Sequence, residues 1–407
     1  MFKNTKKYAI TNAVLLDGTE HMTPQTGKIV CIDGDRIVRI CDGGAPAGFG
    51  EVNLDGMYLM PGLINMHVHL PASGKPKKKP SDPKKLVKLI TLNGLTRRVG
   101  VNMCAGFAKT ELLSGVTTIR TVGGVADFDT IIRDRAAAGE IIAPRVVASN
   151  MAVSVPGGHM AGSLAYEARS AQEAADYVRR IAAEKPDLIK LMITGGVLDA
   201  EVVGEPGVLR MPVEVAAAAC KAAHEVGLPV MAHVESTEGV RAALQAGVDT
   251  IEHGAPMTPE ILELYRGAAG AQLEGRAPSV TCTISPALPF VLLDPEKTHS
   301  TDTQKKNGDI VCSGIIESAR AALEAGVKVG LGTDSSCPFV TQYDMWREVA
   351  YFAKYVGVSN AFALHTATQI NAELLGLGLQ LRQLRFQRTH GFGVDGSGKR
   401  LGLLRQL

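Results

Sequence analysis

The segment Pro61-Gly-Leu-Ile-Asn-Met-His67-Val-His69-Leu70 decides how the rest of the chain is read. It reads as a short apolar strand ending in two histidines two positions apart. Alternate side chains of a strand point to the same face, so His67 and His69 project together. Two imidazoles side by side at a strand end call for something bound between them. The competing reading is a pair of partly exposed polar residues that close a strand. What separates the two is the set of residues at later strand ends.

Downstream of this segment the pattern is regular. Apolar runs at 116–120, 145–149, 188–193, 229–233, 250–253, 279–283 and 327–333 predict strands. Between and after them the spacing predicts helices over 131–138, 170–185, 212–226, 237–246, 259–265, 314–325, 343–356 and 360–375. Ser170, with Glu173 three residues on, is a cap signature. Strands alternating with helices in this way make βαβ units on a parallel sheet. Counted from Leu63 there are eight strand slots, which favours a closed (β/α)8 TIM barrel over an open doubly wound sheet. No glycine-rich dinucleotide or phosphate loop follows a strand, so nucleotide-binding readings lack support.

Upstream, short strands at 8–16, 28–32, 36–41 and 51–59 are bounded by Asp17-Gly18, Asp33-Gly34 and Asp42-Gly43-Gly44. This β element is too thin to stand alone and should pack on something else. Residues 71–85 are rich in proline and lysine: a solvated loop, or a lid over His67 and His69. Residues 86–114 then read as helical. The expected organisation is β strands over 1–60, a barrel over 61–377 and an atypical tail over 378–407.

Composition bounds the function. The 407 residues suit a large barrel with an accessory layer. With 43 basic and 41 acidic residues, nothing in the charge balance demands a nucleic-acid or anionic-membrane partner. A single tryptophan, Trp346, argues against a base-stacking surface. Seven scattered cysteines form no CxxC pair and no disulfide framework, which points to a reducing cytoplasm. The basic N-terminus lacks a small-residue cleavage site and reads as no signal peptide. No apolar run approaches membrane-spanning length.

Barrels of this kind carry their chemistry at the C-terminal ends of the strands. The polar residues found there are His67, His69, Lys190, His233, His253 and Asp334. Each closes or nearly closes an apolar run, as in Asp-Leu-Ile-Lys190-Leu-Met-Ile, Pro-Val-Met-Ala-His233, Thr-Ile-Glu-His253-Gly and Gly-Leu-Gly-Thr-Asp334. Any one alone reads as a satisfied polar residue at a strand-to-loop junction. Four histidines, an aspartate and a lysine together suit zinc or a similar divalent ion. Lys190 is the telling member. Burial among apolar residues lowers the pKa of an ammonium, and the neutral amine can take up carbon dioxide as a carbamate that bridges two cations. A lysine paired with a nearby acid is the competing reading.

These motifs, with Ser-Gly-Val-Thr-Thr-Ile-Arg120 and Ile-Lys190-Leu-Met-Ile-Thr-Gly-Gly196, resemble the amidohydrolase superfamily from about Tyr8 to Leu377. That superfamily comprises metal-dependent hydrolases on a (β/α)8 barrel beside a small, partly N-terminal β-sandwich. With Gly157-Gly158-His159 upstream, the lysine segment looks most like the branch of Xaa-Pro and Xaa-Arg dipeptidases and imidazolonepropionase-related enzymes. The resemblance implies two divalent ions, zinc first among them. His67, His69, Asp334 and a Lys190 carbamate would hold one; His233, His253 and the same carbamate would hold the other. A shared water would be activated as hydroxide, and Asp334 would move its proton to the leaving nitrogen. His159 would lie near the substrate and polarise its carbonyl, although a histidine that merely occupies a Gly-Gly turn competes with that role.

Two features depart from the family pattern. Many relatives read Arg-Asp where this chain has Arg120-Thr121. Beyond Leu377 the usual sandwich-completing segment is replaced by a stretch from Leu379 with six basic residues and one acid. A frameshift that replaced the native C-terminus and left an incomplete sandwich with an exposed edge would account for it. All six expected ligands lie upstream. The expected function is binuclear hydrolysis of an amide C–N bond in a dipeptide, Xaa-Pro-like, or an N-acyl amino acid, by a cytoplasmic enzyme that forms a homo-oligomer. Its partner would be a small amide or dipeptide substrate, with no nucleic acid and no membrane. A mononuclear cyclic-amide hydrolase or deaminase, imidazolonepropionase-like, and a non-catalytic metal-binding barrel are the alternatives.

Overall fold

The computed structural model describes residues 7–76, 82–268 and 272–377. The middle of the lysine-rich loop and the tail from residue 378, on which the lid and frameshift expectations rest, lie outside them. Chain contacts separate two compact units, one holding the described residues up to Pro61 and the other Gly62–Leu374.

In the first unit Arg36–Asp42, Lys28–Asp33, Lys7–Thr11 and Gly50–Asn53 form a four-stranded sheet in that order. Val14–Leu15 pairs separately with Tyr58–Leu59. The sheet is apolar on both faces, and the period of two sorts its residues. Ile10, Val30 and Ile32 pack with Ala13 and Leu15. Their neighbours Ala9, Ile29 and Cys31 pack with Cys41, Ala45 and Phe49. The strands expected over 8–16 and 51–59 are each broken in two. Asn12 takes φ 51°, and the Asn53 side chain caps a turn through Asp55 and Gly56, both at positive φ. Among the described residues the outer strands Arg36–Asp42 and Gly50–Asn53 pair on one side only.

The second unit is a parallel (β/α)8 barrel. Its strands are Leu63–Val68, Val116–Thr121, Arg145–Val147, Ile189–Met192, Val230–Val234, Thr250–His253, Ser279–Cys282 and Val329–Leu331. The third strand breaks at Asn150, at φ 61°, and resumes as Ala152–Ser154, which carries the ladder on to Leu191. The circle closes where the Asp334 N–H donates to the His67 carbonyl at 2.9 Å and Val68 bridges Ser335. Gly332 permits this approach, since a Cβ there would collide with His67.

Side-chain alternation divides the strands into two layers. Ile189, Leu191, Val230, Ala232, Ile251, Val280, Val329 and Leu331 belong to the apolar core shared with the surrounding helices. The alternate positions Asn65, His67, Arg120, Lys190, His233 and Glu252 are also buried, yet polar. An apolar jacket thus surrounds a charged barrel interior.

Three helices differ from the sequence expectation. The span 86–114 is two helices, Pro83–Ile90 and Gly94–Leu113, because Asn93 starts a new one with a capping box to Thr96. The helix expected at 314–325 begins at Asp302, after a Thr301/Gln304 capping box; its polar first turns carry no apolar period. Over 343–356 the helix starts at Met345 and changes to a wider coil at Phe352. The three-residue strands Ala152–Ser154 and Ala165–Glu167 are too short for a sequence pattern to reveal. Among the described residues no helix is long and apolar enough to cross a membrane.

Candidate metal centre

All six residues singled out at strand ends, together with His159, line one cavity. His67, His69, Lys190, His233 and Asp334 arrive there by the inward phase of their strands or just past their ends. His253 arrives differently. Glu252 already occupies the inward position, and the backbone turns at His253 (φ 70°) so that two consecutive side chains reach the interior. Asp334 is also in the left-handed region, at φ 56°. Such strain in non-glycine residues persists only where the surroundings enforce it, and it collects at functional sites.

Each histidine has one ring nitrogen tied to the surrounding protein. His67 Nδ1 lies 2.7 Å from Glu252 Oε2 and His69 Nδ1 2.7 Å from the Gly123 carbonyl. His233 Nε2 lies 2.6 Å from the Gly195 carbonyl and His253 Nδ1 2.7 Å from Thr283 Oγ1. A carbonyl or carboxylate accepts, so the anchored nitrogens of His67, His69 and His233 carry the proton and the other nitrogen keeps its lone pair. That is how metal-ligating histidines are oriented. Burial pushes the pKa of His67 down to about 4 and those of His233 and His253 well below the usual value. These rings are therefore neutral, the form that ligates.

Candidate ligand groups converge. His67 Nε2 and His69 Nε2 lie 3.5 and 3.3 Å from Asp334 Oδ1. His67, His253 and Asp334 form one group with ligand atoms within 4.8 Å of one another, and His233, Glu235 and His253 form a second. His253 joins the two. Burial raises the Asp334 pKa, but the facing His67, His69 and His253 outweigh it and hold the carboxylate well below its usual range.

Two buried atoms at this site, Lys190 Nζ and Glu235 Oε2, have no hydrogen-bond partner. Burial lowers the Lys190 pKa to about 8. Burial, with the nearby Asp334 and Asp199 charges, raises that of Glu235 well above normal. A polar core does not leave an amine and a carboxyl oxygen unpaired, because each orphan is destabilising by roughly 1–3 kcal/mol or more. Divalent cations among these donors, with the amine converted to an anionic carbamate, would satisfy both. The donor set fits that occupancy.

Four supporting residues escaped the sequence reading. Glu235 sits two residues after His233, and period two was signal enough to find it. Glu252 was quoted only as the neighbour of His253. Arg120, noted for the missing acid beside it, spans the barrel interior: Nη2 donates to Glu252 Oε1 at 2.6 Å and Thr281 Oγ1 at 3.0 Å, and Nε to the Met66 carbonyl at 2.7 Å. Asp199 binds His159 Nδ1 at 2.5 Å, while the His159 ring stacks on His233 with centroids 4.3 Å apart. Asp199 and the His233 ring thus hold His159 in the cavity wall.

A family model for the amidohydrolase family matches residues 58–381. Among solved structures, a Bifidobacterium longum protein assigned as a prolidase is 34% identical, with a TM-score of 0.78 over 92% of this chain and 84% of its own. A Xaa-Pro dipeptidase with methionine bound in its active site is 25% identical, with a TM-score of 0.76 over 94% of this chain and 91% of its own. No match is found among curated proteins.

Proposed function

This chain belongs to the amidohydrolase family, as a metal-binding hydrolase of carbon–nitrogen bonds on a TIM barrel, and we propose that it is a binuclear enzyme cleaving the amide bond of a small dipeptide, Xaa-Pro-like, or an N-acyl amino acid. The observation that carries this reading is Lys190, a fully buried amine without a hydrogen-bond partner among four histidines each anchored through one ring nitrogen.

His67, His69 and Asp334 would hold one ion. His233 and His253 would hold the other, with Glu235 close enough to join them, and a Lys190 carbamate would serve both. The amine forms the carbamate by attacking carbon dioxide and releasing one proton, which its lowered pKa of about 8 makes accessible near neutrality. Imidazole and carboxylate donors suit zinc. Ions held there would supply an acidified water and a polarised substrate carbonyl.

The chain's own groups do the rest. Asp334 is a carboxylate at neutral pH and accepts the proton of the attacking water, then delivers it to the departing nitrogen. His159, with Nδ1 held by Asp199, offers Nε2 to the substrate carbonyl oxygen. Arg120 keeps Glu252 ionised, and Glu252 fixes the His67 ring. The prolidase and dipeptidase likeness supports a dipeptide over a ring substrate. All seven cysteines are free thiols, which suits a cytoplasmic enzyme.

The test is metal content per chain in protein purified with zinc and bicarbonate, measured beside Lys190→Ala. Two ions in the parent and a loss in the variant, with cleavage of Xaa-Pro or N-acyl amino acids, are expected. One ion unaffected by the substitution would overturn the binuclear reading in favour of a mononuclear cyclic-amide hydrolase or deaminase.

A further inference from the structure

The candidate ligands line a cavity that opens to solvent. Most of its polar lining comes from strand ends. Most of its apolar lining comes from elsewhere: the Val197–Asp199 turn, Pro286, the helices Leu288–Leu292 and Asp302–Glu324, and the loop at Pro338. We infer that this lining, chiefly Leu198, Pro286, Phe290, Val311, Ile315 and Pro338, receives a bulky apolar group of the substrate. Amides with a branched-aliphatic or aromatic side chain next to the scissile bond are thereby selected over glycine homologues. The inference rests on the amide-hydrolysing reading above and names its substrate class.

The wall is built before any ligand arrives. Asn307, Val311 and Ile315 are four residues apart and share one face of the Asp302–Glu324 helix. Val311 and Ile315 line the cavity, while the buried Asn307 ties down the loop beside it. Its Nδ2 donates to the Val202 carbonyl at 3.0 Å, and its Oδ1 accepts from the Gly204 N–H at 2.7 Å. Gln304, one turn earlier, donates to the Leu198 carbonyl at 3.4 Å. The Phe290 side chain lies directly against Gly308, where any Cβ would collide with the Phe290 Cβ, so this glycine lets the two helices close on each other.

Leu198 is the one clearly uncovered member: it lines the cavity yet is 40% exposed. An apolar substituent entering from the mouth would cover it. Phe290, Val311 and Ile315 are already largely buried by the fold and present their remaining surface to the same space. A pre-formed apolar wall continuous with a polar reaction centre discriminates by size, because little ordering is left for the ligand to induce. Each methylene it buries favours binding about fourfold.

The experiment uses the metal-loaded full chain and two series: Gly-, Ala-, Val-, Leu- and Phe-Pro, and the N-acetyl derivatives of the same five residues. Compounds that are cleaved are compared by kcat/KM; those left intact are compared by Kd from calorimetry. The expected result is a rise of at least tenfold from glycine to leucine or phenylalanine in one series. Leu198→Ser, at a partly exposed position that folding tolerates, is expected to shrink that ratio at least threefold. Cleavage or binding that is flat across both series, or no binding by any member, overturns the inference. Graded binding without cleavage upholds the wall while removing the amide-hydrolase reading; cleavage without grading does the reverse.

Discussion

Replacing Arg120 with methionine tests whether the charged barrel interior is held by pairing. The guanidinium is 1% exposed and is the strongest influence holding Glu252 ionised, at a pKa of about 2 against the burial that would raise it. Glu252 in turn accepts from His67 Nδ1 at 2.7 Å. The linkage sign follows from that depression. A carboxylate whose folded pKa is lowered stabilises the fold above its unfolded pKa, and the benefit is lost as pH falls from about 4.5 toward 2. A shift of that size is on the order of 3 kcal/mol at neutral pH. Breaking one member of a buried pair costs about 3–5 kcal/mol by an independent route, the stranded charge. The two agree, and together they put the melting temperature of Arg120→Met on the order of 10 °C below the parent.

The assay is a double-mutant cycle on metal-free protein, with thermal unfolding of the parent, Arg120→Met, Glu252→Gln and the double variant. If the methionine is destabilising because it strands a carboxylate, most of the loss disappears once Glu252 is already glutamine. Arg120→Met should then behave worse as pH rises, since the unpaired Glu252 must ionise or stay protonated against solvent demand. An equal loss in both backgrounds would refute the pairing argument and leave Arg120 a packing residue that also serves the Met66 carbonyl.

Glu235→Gln removes a carboxyl whose Oε2 has no hydrogen-bond partner, so metal-free stability should hold or rise, while affinity for the more weakly bound ion falls about 10–100-fold by titration against a chelator; unchanged affinity would remove Glu235 from the site. Glu111, fully buried against Asn65, has its pKa raised by burial to about 8. A raised carboxyl pKa works the other way from Glu252: stability falls as pH rises from about 4.5 to 8, with a ceiling on the order of 5 kcal/mol. Urea denaturation of metal-free protein at pH 5 and pH 9 should therefore find Glu111→Gln gaining on the parent at the higher pH, and a constant difference would contradict the buried protonated acid.

The barrel was legible because its signal is long-range and repetitive. Strands such as Val230–Val234 and helices such as Thr237–Ala246 alternate at fixed spacing, and Ser170 caps its helix in the structure as the sequence pattern predicts. Errors fell where a backbone event interrupts the period. Asn93 divides one helical run by capping a second. Thr301 starts a helix whose first turns are polar, so only its second half announced itself. Asn150 splits the third strand through a left-handed residue that the apolar pattern ignores.

The site divides along the same line. His67, His69, Lys190 and His233 follow from strand alternation alone. Glu252 and His253 cannot both face inward in a regular strand, and only the positive φ of His253 allows it; counting by two would discard one of them. Arg120 is harder still, because its importance lies in a partner 132 residues away. A polar residue on an inward strand phase advertises that it is buried but not what balances it. The barrel interior holds Arg120 and Lys190 against Glu252, Glu235 and Asp334, and among them the buried Lys190 Nζ and Glu235 Oε2 lack a hydrogen bond. Arg120 and Glu252 complete each other's bonds and serve the structure, whereas the atoms left incomplete mark where a ligand would enter. That distinction depends on which atoms meet in space, which is why it emerges from the folded chain and not from the order of its residues.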